Sequence, residues 1–231
     1  LCCLRAITGN VDKPGACVLA EAPDFTSELA MEMSDAMPAS CRAAALGPYR
    51  TPLQSYAGYD ALRALTERLG RTPPMRYLTS AHPDLVLRAM EEGRPYPIRA
   101  LIVQATNPLL TYGDTARVRR ALSALDLLVV LEYRLTPTAQ LADYVLPIAG
   151  ALERPVLQVH GGIANAAYGG PAAVAPYYER RCDYDVFREL GRRLGQAEFW
   201  PEETLEDAFA AQLATAGLTW EEFCSEGTYW P

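Results

Sequence analysis

The sequence predicts an α/β fold built on a parallel sheet. Two short apolar runs have the length of strands, and a segment with helical periodicity separates them. Strand, helix and strand within about 35 residues is typical of a βαβ unit, whose crossover leaves the two strands parallel. Further helical segments precede and follow this unit, so we expect a Rossmann-like sheet with helices on both faces.

The first strand is predicted over residues 98–104, and a polar turn follows over residues 105–113. Asp114 is a suitable N-cap, because its carboxylate can accept free N–H groups of a first helical turn. The helix behind it should bury one face, since apolar residues recur there at i, i+3, i+4 and i+7. These residues are Val118, Ala121, Leu122 and Leu125.

The second strand is predicted over residues 127–131, which are apolar throughout, as is typical of parallel strands covered on both faces. A short helical stretch is expected over residues 138–142. A third strand is predicted over residues 143–147 and should stop at Pro147, because proline has no backbone N–H.

The remaining segments complete the expected pattern. Residues 1–7 resemble the middle of a buried helix, and residues 20–58 are expected to be irregular. Residues 152–176 are rich in Gly, Ala and Pro and predict a long surface loop. Helices are also predicted over residues 60–69, 83–92, 183–194 and 203–216, with a short one from Thr219.

The composition of the chain argues against several classes of function. The net charge of −7 argues against nucleic-acid binding that depends on phosphate neutralisation. No window approaches eighteen consecutive apolar residues, so no transmembrane helix is predicted. The six cysteines form no C-x-x-C pair, so neither a disulfide framework nor a zinc or iron–sulfur site is expected. The chain starts without methionine and ends abruptly, which favours a piece of a longer protein over a processed terminus.

The ends of the two central strands are the expected ligand site, because parallel sheets bind ligands at the carboxyl ends of their strands. Thr106, Asn107 and Thr111 could contact phosphate or sugar, and Glu132 could accept from ribose hydroxyls or a guanine edge. Asx-turns and helix caps use the same residue types without any ligand, and spacing alone does not separate the two interpretations.

No catalytic constellation is evident. Neither G-x-G-x-x-G nor the P-loop pattern occurs, which disfavours a nicotinamide-dependent dehydrogenase and a P-loop nucleotidase. His82 precedes Pro83 and is expected to cap a helix, and His160 is expected to lie in a mobile loop without a nucleophile beside it.

Five motifs in order resemble the catalytic subunits of the dimethyl sulfoxide reductase family. These are molybdenum or tungsten oxidoreductases that carry bis(molybdopterin guanine dinucleotide). The motifs are Thr8-Gly-Asn-Val-Asp-Lys-Pro-Gly15, Ala100-Leu-Ile-Val-Gln-Ala-Thr-Asn-Pro-Leu109, Leu128-Val-Val-Leu-Glu with Leu135-Thr-Pro-Thr-Ala139, Ala142-Asp-Tyr-Val-Leu-Pro147 and Leu152-Glu-Arg154.

The resemblance implies a central fragment of a multidomain subunit. Residues 1–58 would be the tail of a preceding α/β domain with an irregular connection, residues 59–195 a nucleotide-binding-like domain, and residues 196–231 a helical extension. The family often has glycine at the position of Ala105. Contacts to the guanosine end of one pterin are implied for Thr106, Asn107, Thr111, Leu131, Glu132 and Thr136, with Asp143 supporting the loop or the ligand.

The resemblance also implies what lies outside this chain. The iron–sulfur motif and the metal ligand would lie upstream and a second pterin-binding domain downstream, so the fragment alone should be inactive. Iron–sulfur electron-transfer and membrane-anchor subunits are possible partners, and the parent could be cytoplasmic or exported. The segment after Pro147 is closest to the thiosulfate and polysulfide reductase branch. The alternative is a stand-alone, non-catalytic α/β binding module.

Overall fold

The computed structural model describes residues 2–11, 14–16, 38–46, 56–70, 81–160 and 166–229. In these ranges the strands are β1 (Ala100–Gln104), β2 (Leu127–Leu131), β3 (Tyr144–Leu146), β4 (Val156–His160), β5 (Ala166–Gly170) and β6 (Thr228–Tyr229). The helices are α1 (Cys2–Ile7), α2 (Ala39–Ala43), α3 (Tyr56–Arg68), α4 (Pro83–Glu92), α5 (Pro108–Thr111), α6 (Thr115–Ser123), α7 (Asp183–Arg193), α8 (Leu205–Ala214) and α9 (Trp220–Glu226).

Strands β1, β2 and β3 form a parallel sheet in that order. Ala100 pairs with Leu127, and Val129 pairs with Tyr144. The predicted βαβ unit and the α/β class are therefore confirmed, with α6 as the crossover helix.

Helix α6 begins where the sequence predicts. The Asp114 carboxylate accepts a hydrogen bond from the Arg117 backbone N–H at 3.0 Å. The apolar stripe is buried as expected, since Val118 and Ala121 are both fully inaccessible to solvent. Burial of this stripe rather than helix propensity stabilises such a short helix.

Helices α4 and α6 pack on one face of the parallel sheet. Val103, Leu128 and Val130 point from the strands into the core between them. The Arg117 guanidinium ties the two helices together, because it pairs with Asp84 and, at 3.0 Å, with Glu91. On the opposite face, Ile102, Val129 and Tyr144 share one register row.

The predicted surface loop over residues 152–176 is wrong. In that stretch β4 and β5 pair antiparallel, and β6 extends the sheet from the far end of the chain. Glycine is required in β5 rather than marking a loop, because a Cβ at Gly169 would lie 1.8 Å from the Val156 carbonyl oxygen.

A second core covers this antiparallel sheet. Ala167 of β5, Leu213 of α8 and Phe223 of α9 are buried together, with Leu157 and Trp220 packed against them. The segment after residue 195 therefore packs against strands that precede it. The domain boundary at residue 195 remains a prediction.

The predicted helices over residues 60–69, 83–92, 183–194 and 203–216 and the short one from Thr219 are all present, with small shifts in their ends. The first residues are helical, but Leu4 and Ile7 are exposed, so the expected burial of α1 is wrong within this chain. Most of the irregular stretch 20–58 and residues 12 and 13 of the first motif lie outside the described residues. In the described part no helix is long and apolar enough to span a membrane.

Candidate functional site

A cavity of about 530 Å³ opens at the carboxyl ends of β1 and β2. Five of the seven residues predicted for the site lie on its wall, namely Thr106, Asn107, Thr111, Leu131 and Glu132. The cavity is also lined by Ala105 and Tyr133 in the turns after these two strands. Later segments contribute Ile148, Ala149, Gly150, Ala151, Arg154 and Asp183.

The turn after β1 is sharply bent. Ala105 has φ 53°, a left-handed conformation that costs about 1–2 kcal/mol for a residue with a Cβ. Asn107 then becomes the N-cap of α5, with Pro108 at the first helical position. The bend turns the chain across the end of the sheet and leaves Thr106 exposed at the cavity.

A buried hydroxyl fixes the Asn107 side chain. Thr138 is fully buried, and its Oγ1 donates to Asn107 Oδ1 at 2.5 Å while accepting from the Leu109 N–H at 3.2 Å. The Asn107 amide nitrogen has no partner among the described residues. A ligand can therefore accept hydrogen bonds from a nitrogen whose position is already set.

The end of β2 contributes a carboxylate. The Glu132 N–H donates to the Leu146 carbonyl at 3.1 Å, which continues the sheet by one residue. Its Oε1 accepts from the Tyr133 N–H at 2.9 Å. The half-buried carboxylate retains acceptor capacity for a donor in the cavity.

Arg154 and Asp183 are wall residues that the sequence reasoning did not assign. Among the described lining residues Arg154 carries the only positive charge, and Glu132 and Asp183 carry the negative ones. Asp183 accepts a hydrogen bond from the Gln104 side chain. The motif at residues 152–154 signalled Arg154, but no sequence pattern brings residue 183 next to β1.

Cys182 precedes Asp183 of this wall in the chain, and its thiol is partly buried. Burial raises the pKa of its thiol to about 11, and neighbouring Asp183 and Asp185 add to the shift. A thiol with this pKa is almost entirely protonated near neutral pH, so it is a poor nucleophile.

The structure does not bring Thr136 and Asp143 into the cavity. Thr136 Oγ1 accepts from the Ala139 N–H at 3.2 Å and caps a turn of 3-10 helix. Asp143 accepts from the Leu128 N–H at 2.7 Å. Since Asp143 precedes β3, it lies at the amino end of the parallel sheet, opposite the cavity.

One histidine lies at the start of a helix and the backbone of the other lies in a strand. His82 occupies the N-cap position of α4, as predicted, but its side chain makes no capping hydrogen bond. The backbone of His160 lies in β4 rather than in a loop, which corrects the prediction. In the described part of the chain no three His, Cys, Asp or Glu side chains are grouped to hold a metal ion.

The chain is an α/β protein with a polar cavity at the carboxyl ends of its parallel strands. A family model described as molybdopterin oxidoreductase matches residues 30–193. The chain belongs to the molybdopterin oxidoreductase family.

Relatives support this assignment over the whole chain. Acetylene hydratase of Syntrophotalea acetylenica is 31% identical over 99% of this chain and 32% of its own length. F420-dependent formate dehydrogenase 1 subunit alpha of Methanococcus maripaludis is 28% identical over 100% of this chain and 32% of its own length. The chain thus spans about a third of the length of these relatives.

A solved structure supports the same family assignment. Acetylene hydratase from Pelobacter acetylenicus superposes with a TM-score of 0.81 and 32% identity over 99% of this chain and 32% of that chain. The resemblance to the dimethyl sulfoxide reductase family is confirmed. A thiosulfate reductase subunit, PhsA of Salmonella typhimurium, is 31% identical but matches 52% of this chain and 16% of its own length.

Proposed function

We propose that this chain is part of a molybdopterin-dependent enzyme and that the cavity holds the guanosine end of one bis(molybdopterin guanine dinucleotide). The observation that supports it is the Asn107, Glu132 and Arg154 set at the carboxyl ends of β1 and β2, in a chain of this family. The cavity volume of about 530 Å³ lies within the usual range for small-ligand sites, about 300–1,000 Å³.

The donor and acceptor set fits a guanine nucleotide. Glu132 can accept from the N–H donors of the guanine edge or from ribose hydroxyls, and the Asn107 amide can donate to an oxygen. Thr106 and Thr111 offer hydroxyls to the sugar or the phosphates. These roles match those that the resemblance implies for the same positions.

The charged residues of the cavity wall favour one orientation of the ligand. A diphosphate is repelled by Glu132 and Asp183, so the base and ribose belong beside these carboxylates. Arg154 can bind phosphate oxygens with two parallel N–H donors. We therefore place the phosphates toward the loop that carries Arg154.

Thr136 and Asp143 act indirectly in this proposal. Thr136 caps the 3-10 turn that begins beside Thr138, the residue that fixes Asn107. Asp143 joins β2 to the start of β3 at the other end of the sheet. Both support the residues that bind rather than the ligand itself.

The parent would carry molybdenum or tungsten and, upstream, an iron–sulfur cluster. When bound, the cofactor supplies two-electron redox chemistry or oxygen or sulfur atom transfer, and this chain supplies binding and orientation. Thiosulfate or polysulfide reduction is one candidate reaction. The match to acetylene hydratase over 99% of the chain favours hydration of a small unsaturated substrate as a second. Iron–sulfur and membrane-anchor subunits are proposed partners of a redox parent.

Cofactor content of the complete protein tests the site. Asn107→Ala and Glu132→Ala should lower bound metal and the guanine nucleotide released on hydrolysis, because each removes a group aimed at the ligand. Glu189→Ala is the matched control, since Glu189 pairs with Arg193 on an exposed helix surface. Metal content unchanged from wild type in both site variants would refute the assignment.

A further inference from the structure

Two segments of the cavity wall are joined along their backbones. Ile148 and Arg181 form a parallel bridge, the Ala149 N–H donates to the Arg181 carbonyl at 2.8 Å, and the Arg181 N–H donates to Pro147 at 3.2 Å. The first segment leads into Gly150, Ala151 and Arg154, and the second leads into Asp183. The position of either segment therefore depends on the other.

The Glu153 carboxylate connects the same two segments. Its Oε2 accepts from the Gly150 N–H at 2.7 Å, and its Oε1 accepts from the Tyr177 N–H at 3.1 Å. Arg180 Nη1 lies 2.9 Å from Oε1 and 3.1 Å from Oε2. The Glu153 side chain is only 10% exposed, so both of its oxygens accept these hydrogen bonds where water has little access.

We propose that Glu153 is a positioning residue that holds the Gly150 to Arg154 loop in the cavity wall and thereby sets affinity for the phosphate end of the ligand. The inference rests on the proposed function. The loop itself offers little packing, because Gly150 and Ala151 have almost no side chain and Leu152 is 68% exposed.

The physical reason is pre-organisation. A loop of small residues without an anchor loses backbone entropy when a ligand orders it. The Glu153 contacts impose that order before binding, so less of the binding free energy is lost. Arg154 directly follows Glu153 in the chain, so fixing the Glu153 backbone also restricts the position of Arg154.

The test compares GDP with guanosine. The complete protein, produced without its cofactor, is titrated with each by calorimetry as wild type, Glu153→Gln and Arg180→Gln. In both variants the Kd for GDP should rise about tenfold, in line with the loss of a charge-assisted hydrogen bond, while the Kd for guanosine changes much less. Arg180→Lys should restore part of the GDP affinity.

The control is Glu189→Gln, because Glu189 also pairs with an arginine but lies 55% exposed on α7, away from the cavity. It should bind both ligands as wild type does. Hydrogen exchange at the Gly150 and Tyr177 amides should accelerate in Glu153→Gln, with strand amides of β1 and β2 unchanged.

The outcomes separate the two proposals. Wild type that binds GDP, with Glu153→Gln and Arg180→Gln binding it equally well, overturns the positioning role and leaves the proposed function standing. Equal losses for GDP and guanosine indicate general loosening and also overturn it. If Glu153→Gln does not fold, Arg180→Gln decides, since it leaves the loop sequence intact. Wild type that binds neither ligand overturns the proposed function as well.

Discussion

The parallel sheet and the antiparallel sheet contain strands of similar length but very different sequences. Strands β1 and β2 read ALIVQ and LLVVL, whereas β5 reads AAYGG. The first pattern predicts strands because large aliphatic side chains fill the core between sheet and helices. The second predicts a loop, although Ala166 and Ala167 are as deeply buried as the aliphatic residues.

The difference lies in which element supplies the apolar volume. In the parallel half the strands contribute Val103, Leu128 and Val130 to the core. In the antiparallel half the helices contribute Leu213 and Phe223, and β5 contributes small residues that let them approach. A strand that acts as a flat support has no hydrophobic periodicity of its own.

The largest expected effect is in the helix-supplied core. Phe223→Ala should destabilise the protein by about 4 kcal/mol, because it removes the largest fully buried side chain from a small cluster. Hydrogen exchange should show the loss in β4, β5 and α9 while β1 and β2 keep their protection. Leu122→Ala is the counterpart in the parallel half and should destabilise the protein by about 3 kcal/mol. It should lower protection in β1 and β2 while β4, β5 and α9 keep theirs. Equal loss in both halves for either variant would show that the two cores unfold as one.

The next effect tests the close approach of β5 to β4. Gly169→Ala should cost about 3 kcal/mol, because its Cβ would meet the Val156 carbonyl oxygen 1.8 Å away. Gly170→Ala is a matched control: its φ of 155° is close to the 157° of Gly169, but no described heavy atom lies within 4 Å. It should cost about 1 kcal/mol of backbone strain. Equal midpoints in urea denaturation for the two variants would contradict the role given to Gly169.

A smaller effect is expected behind the cavity in the parallel half. Thr138→Val keeps the side-chain shape but leaves the Leu109 N–H without its acceptor, which should cost about 2 kcal/mol. It also releases Asn107, so cofactor content should fall. Thr136→Val, which removes the part-buried hydrogen bond from the Ala139 N–H, should cost about 1 kcal/mol and retain more cofactor. If Thr138→Val retains the wild-type cofactor content, the hydrogen bond from Thr138 to Asn107 is not required for cofactor binding.

The sequence identifies those residues of the cavity wall that directly follow a strand end. Thr106, Asn107 and Glu132 were predicted because parallel strands finish at one edge of the sheet. For Asp143 the family resemblance implied support of the loop or the ligand, and because Asp143 precedes its strand it lies at the other edge of the sheet.

Arg154 and Asp183 could not be assigned to the wall from local patterns. Their place depends on the bridge between Ile148 and Arg181, which joins segments more than thirty residues apart. Pairing of this kind leaves no periodicity, and only the motif of residues 152–154 pointed to the first of the two. Strand β6 was missed for the same reason, because it joins β5 from the end of the chain. The pairing of β4 with β5 is local, and it was missed because the small residues of β5 predict a loop.

The smallest expected effect concerns how the helices of the antiparallel half begin. Helices α8 and α9 start with capping boxes, in which Asp207 and Glu222 accept from the backbone N–H groups of Thr204 and Thr219. The Thr204 hydroxyl lowers the pKa of Asp207, and the Thr219 N–H lowers the pKa of Glu222.

A carboxylate whose pKa is lowered in the folded state stabilises the fold. The stabilisation is complete at pH values above the ordinary carboxylate pKa of about 4, and it is lost as the pH falls through the lowered pKa. Asp185 opposes it, because burial raises its pKa and its protonation favours the folded state as pH falls. Below about pH 4 the Thr204 and Thr219 amides should lose protection, relative to intrinsic exchange, before the β1 and β2 amides, which bond to carbonyls. In an Asp207→Asn, Glu222→Gln variant the protection should already be low at pH 6 and change little with acid. If the β1 and β2 amides lose protection first, protonation of the two capping carboxylates does not set the order in which the two halves lose protection in acid.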